Sequence, residues 1–109
     1  MPIIISTGTA DAPFKLPQSE IKDFIYNLFS GADIDLDRLI NVFDNSEISN
    51  RHISVPTKWL GKEHSFKERN EIFKVTATKL AKEAIEKCLN SAGVKPSQVS
   101  NIIYVTSTG

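Results

Sequence analysis

Asn101-Ile102-Ile103-Tyr104-Val105-Thr106-Ser107-Thr108-Gly109 reads as an apolar run entering a small, hydroxyl-rich turn. Residues 102–106 are apolar on both sides, the pattern of a central strand in a parallel sheet. Upstream, Ser65-Phe66-Lys67-Glu68 matches a capping box, in which hydroxyl and carboxylate satisfy each other's free amides. Ile72, Phe73, Thr76, Ala77, Leu80, Ala81, Ala84, Ile85, Cys88, Leu89 and Ala92 then recur at helical spacing, with Gly93 in the C′ position. Lys74, Lys79, Lys82, Glu83, Glu86 and Lys87 fall on the remaining face. Pro96-Ser97-Gln98-Val99 makes a short turn with proline first. At the other end, residues 1–7 are β-branched and closed by Gly8, which predicts another strand. A long helix linking two strands predicts a right-handed crossover and an α/β fold with a parallel sheet covered by helices.

The segment between these elements is helical, then extended. Residues 10–17 carry two prolines and read as a loop. From Gln18 onward Ile21, Phe24, Ile25, Leu28 and Phe29 form one apolar face, ended by Ser30-Gly31. A second helix is predicted after Asp35, a good N-cap, with Leu36, Leu39, Ile40 and Phe43 as its stripe and Asn45-Ser46 as its end. Residues 47–56 read as extended through Ile48, Ile53 and Val55, stopped by Pro56. Residues 57–64 read as a loop holding Trp59.

Composition narrows the function classes. The chain has 109 residues, 40% hydrophobic and 24% charged, as in ordinary globular domains. Thirteen basic residues balance thirteen acidic ones without a basic stripe, which argues against a nucleic-acid partner. No apolar run is long enough to span a bilayer, and residues 1–5 do not resemble a signal peptide. One cysteine, Cys88, precludes an internal disulfide and suits a reducing cytoplasm. Two or three strands make a poor sheet, and a parallel sheet with open edges is an aggregation hazard. The chain is therefore expected to be part of a larger fold.

Three passages carry a more specific signal: Ser46-Glu47-Ile48-Ser49-Asn50-Arg51-His52, Ala92-Gly93-Val94-Lys95-Pro96-Ser97-Gln98-Val99, and the run from Ile102 to Gly109. In this order and spacing they resemble the amino-terminal part of the thiolase-fold condensing enzymes, nearest to the type III polyketide synthases of the chalcone and stilbene synthase group. Ile4-Ile5-Ser6-Thr7-Gly8-Thr9-Ala10 followed by Gln18-Ser19-Glu20-Ile21, and Ser65-Phe66-Lys67-Glu68-Arg69-Asn70, fit the same branch. The resemblance implies that residues 1–109 are the amino-terminal portion of a thiolase-like fold, with helices packed on a mainly parallel sheet. It implies an acyltransferase that condenses malonyl-CoA onto an acyl-CoA starter through a cysteine thioester, with coenzyme A thioesters as substrates and no bound cofactor. It also implies a homodimer. In the family the catalytic cysteine, histidine and asparagine lie beyond the position matched by Gly109, so these residues alone are expected to be inactive. Three alternatives stay open. One is a carrier-protein-dependent ketoacyl synthase of the same superfamily. A second is a non-catalytic module that binds acyl-CoA or a partner. The third is an inactive fragment.

Each candidate residue has two readings. Ser107 and Thr108 match family positions that line the acyl pocket; the plain alternative is that strand-end hydroxyls satisfy local backbone groups. Gly109 suits close backbone approach at the turn. Arg38 matches a basic position that contacts coenzyme A phosphates, whereas the two companion positions are Asn41 and Asn45, which offer hydrogen bonds without charge. Lys58 and Lys62 are nearby cations that could compensate. Arg51 reads as a structural bridge from the extended segment to a carboxylate or a helix end. Cys88, on the apolar stripe, reads as an inert core thiol rather than a nucleophile. His52 is expected to pack and His64 to be solvated; neither has the partners of a zinc site. Asp33, Asp35, Asp37 and Asp44 lack calcium-loop spacing and read as helix caps and first-turn residues.

Overall fold

A computed structural model describes residues 1–107. The fold is mixed α/β and falls into two compact units. One comprises Ala12–Glu63; the other combines Met1–Asp11 with the chain from His64 onward.

In the first unit, strand β1 (Phe14–Pro17) runs directly into helix α1 (Gln18–Phe29). Helix α2 (Leu36–Asn45) and strand β2 (Asn50–Ile53) follow, then a single turn, α3 (Thr57–Leu60). The two strands pair antiparallel, with Phe14 opposite Ile53, Lys15 opposite His52, Leu16 opposite Arg51 and Pro17 opposite Asn50. Gln18 N donates to Ser49 O at 2.9 Å and carries the pairing into the first turn of α1. Pro17 is tolerated because both strands are edges, where a missing amide costs no ladder bond.

Helix α1 half-buries Ile21, Phe24 and Ile25, as the spacing predicts, while Leu28 and Phe29 stay exposed. Asp35 caps α2, its carboxylate accepting from Arg38 N at 3.1 Å. At the other end Ser46 Oγ donates to Phe43 O at 2.8 Å. Glu47 then adopts φ 54°, a left-handed conformation that reverses the chain into β2.

The second unit is organised around α4 (Phe66–Ala92). Its capping box is complete: Glu68 N donates to Ser65 Oγ at 3.2 Å, and Glu68 Oε2 accepts from Ser65 N at 2.7 Å. At the carboxyl end Gly93 has φ 66°. Gly93 N donates to Asn90 O and Val94 N to Leu89 O, the paired bonds of a Schellman ending. Ion pairs Lys74–Glu71, Lys82–Glu86 and Lys87–Glu83 line the exposed face. A 3-10 turn at Pro96–Gln98 follows, with proline first as expected.

The sheet departs from the sequence-based expectation. Residues 1–7 and 102–106 form no strand, and the described sheet is antiparallel, not parallel. Strand β1 lies inside the expected loop at residues 10–17, β2 lies within the segment 47–56 expected to be extended, and α3 occupies part of the expected loop at 57–64. Strand propensity needs a ladder partner to become a strand, and the described ladder joins β1 and β2 alone. Ile4 is 87% exposed and Ile103 89% exposed. No described residue is fully buried, so apolar stripes are half-covered seams rather than a closed core.

Candidate functional site

Arg38 lies in the first turn of α2, and its side chain is exposed. Helical spacing puts Asn41 and Asn45 on the same face, three and seven residues on, and both are exposed. The Arg38 guanidinium forms no ion pair with a described residue. The start of the helix, however, is already occupied by the Asp35 carboxylate, with Asp37 beside it. An anion here would meet one guanidinium and two amides against two nearby carboxylates, with one of the helix-end amides that normally assist anion binding, Arg38 N, already taken. Lys58 in α3 and Lys62 just after it are exposed cations of the same unit.

The same unit holds a polar clasp, of which only the bridging role of Arg51 is legible in sequence. Gln18 Nε2 donates to Phe43 O at 2.9 Å and to Ser46 Oγ at 3.3 Å. Gln18 Oε1 accepts from Arg51 Nε at 3.0 Å. The Arg51 guanidinium also lies over the Phe43 ring, 5.6 Å from its centroid. Arg51 thus bridges β2 to the start of α1, the helix-end role expected of it. In sequence Gln18 is marked only as the first helical residue and as part of the family-like passage Gln18-Ser19-Glu20-Ile21. Lys22 Nζ bonds both Asp44 oxygens, at 2.7 and 2.8 Å, and joins α1 to α2.

In the other unit Ser107 is exposed, and Thr108 and Gly109 lie outside the described residues. Arg38 and Ser107 belong to different units. An open groove of about 720 Å³ runs along α4, with Phe73, Ala77, Ala81, Ile85 and Leu89 on its floor and Tyr104 on its wall. A smaller hollow of about 320 Å³ lies between Ile85, Cys88, Leu89, Val99 and Ile102. Ser107 lines neither.

Cys88 is a free, half-buried thiol rather than a fully enclosed one. Gly8 presses against its helix: a Cβ at position 8 would collide with Ala84 O and lie 2.7 Å from Cys88 N. Ser6 Oγ donates to Cys88 O at 3.0 Å, and Lys87 Nζ to Thr9 O at 3.2 Å. The sequence predicts a strand stop at Gly8; its place is instead a close approach of backbone to helix.

Both histidines differ from expectation. His52 is exposed on β2, because it alternates with Arg51 and Ile53, whose side chains turn inward. His64 is largely covered, its side chain 14% exposed, with Nδ1 3.9 Å from Glu68 Oε2. Glu68 titrates below its ordinary value of 4.5, first because its carboxylate accepts the Ser65 backbone amide and then the Ser65 hydroxyl. Glu83 is likewise lowered, by the hydrogen bond and charge of Lys87. Asp35 is the cap that the sequence predicts, and Asp44 is the partner of Lys22. Among the described residues no group of three His, Cys, Asp or Glu side chains is placed to hold a metal ion. No described helix is long and apolar enough to cross a membrane.

No family model and no solved structure matches the chain. Curated proteins do. A Bacillus subtilis (strain 168) protein provisionally named chalcone synthase is 29% identical over 114 residues, covering 100% of this chain and 31% of its own length. The 3,5-dihydroxyphenylacetyl-CoA synthase of Amycolatopsis balhimycina is 30% identical over 94% of this chain and 26% of its own. The 1,3,6,8-tetrahydroxynaphthalene synthase of Streptomyces griseus is 26% identical over 67% of this chain and 20% of its own. The chain thus spans a third or less of the curated relatives it matches, and its similarity is to chalcone synthase-like, type III polyketide synthase-like proteins.

Proposed function

We propose that this chain forms the amino-terminal portion of a thiolase-fold acyltransferase of the type III polyketide synthase kind. The observation that carries the reading is the match of the whole chain to a relative named as a chalcone synthase, seconded by two synthases from other bacteria. The whole protein would accept an acyl group from acyl-CoA on a cysteine, releasing coenzyme A. It would then decarboxylate malonyl-CoA to an enolate, with loss of carbon dioxide. The enolate attacks the thioester carbonyl, a carbon–carbon bond forms, and the cysteine thiolate leaves. Hydrogen-bond donors aimed at the enolate oxygen and exclusion of water supply the stabilisation.

Cys88 is not that nucleophile. It sits near the carboxyl end of α4, the negative end of the helix dipole, with Gly8 against it, whereas reactive thiolates need an electropositive setting. Within this chain the proposed roles are substrate contacts. Arg38 meets a coenzyme A phosphate, and Ser107 and Thr108 line the acyl pocket. The protein would act in the cytoplasm as a homodimer. The test is turnover: the complete gene product, given malonyl-CoA and a panel of acyl-CoA starters, releases coenzyme A and carbon dioxide and yields extended products by mass spectrometry. Absence of condensation with every starter, from a folded protein, rejects the reading.

A further inference from the structure

We draw no further inference here: the strongest candidate, the apolar groove of about 720 Å³ along α4 between Phe73, Ala81, Leu89 and Tyr104, is an unpartnered helix face, and nothing in the structure shows what covers it.

Discussion

At the scale of single residues, Glu47 and Glu68 give the sharpest expectations. Glu47 holds φ 54° without being glycine, which costs a non-glycine residue about 1–2 kcal/mol. Glycine loses more freedom on folding, so Glu47→Gly should gain only about 0.5–1 kcal/mol. Denaturant unfolding at constant slope checks this; a loss of stability would mean that the Glu47 side chain matters more than its backbone. Glu68 works through charge. Its folded pKa is depressed, so its contribution is present above the unfolded value near 4.5 and is lost as pH falls through the lower folded value. Helicity of α4 should therefore decline in acid, and Glu68→Gln, which keeps the capping geometry, should flatten that part of the profile. An unchanged acid profile in the variant would place the titration elsewhere. At Arg38, Arg38→Ala should weaken coenzyme A binding about five- to tenfold, the worth of one exposed charge-assisted contact. Calorimetry reads this directly, and equal affinities would remove Arg38 from the site.

At the scale of elements, what was legible depended on how local its cause is. The caps of α4 are written in four residues at one end, Ser65 to Glu68, and in Gly93 at the other, and the structure keeps both. Asp35 announced α2 in the same way. The extended segment predicted at 47–56 holds β2, whereas the other strand assignments fail because their cause is distant. Residues 14–17 carry a proline and little alternation, and become β1 only because residues 50–53 lie opposite. Residues 1–7 and 102–106 have stronger strand propensity, but the described sheet contains only β1 and β2. The Gln18 clasp was invisible for the same reason, since its partners are 25 to 33 residues away in sequence. Gln18→Ala should cost about 1–3 kcal/mol, the range for leaving a covered donor such as Arg51 Nε unmatched. Thermal unfolding of the variant measures this; a neutral result would mean that water replaces the amide at no cost. Of the site residues, Arg38 was legible only through resemblance, because an exposed arginine has no local signature.

At the scale of the whole molecule, the exposure of apolar runs and the proposed thiolase-like fold make opposed predictions for one substitution. In residues 1–109 Ile103 is 89% exposed, and Ile103→Ser should shift stability by no more than about 0.5 kcal/mol. In the complete protein the proposal makes residues 102–106 a central strand, and there the same change should cost about 2–5 kcal/mol. Equal small effects in both would leave the proposed fold without its strand. The proposed chemistry has a still more direct test. The complete gene product is exposed to acyl-CoA without malonyl-CoA, digested, and mapped by mass spectrometry for hydroxylamine-labile acyl groups. The account predicts one acylated cysteine outside residues 1–109, with Cys88 unmodified. Acylation of Cys88, or of no cysteine at all, would contradict it.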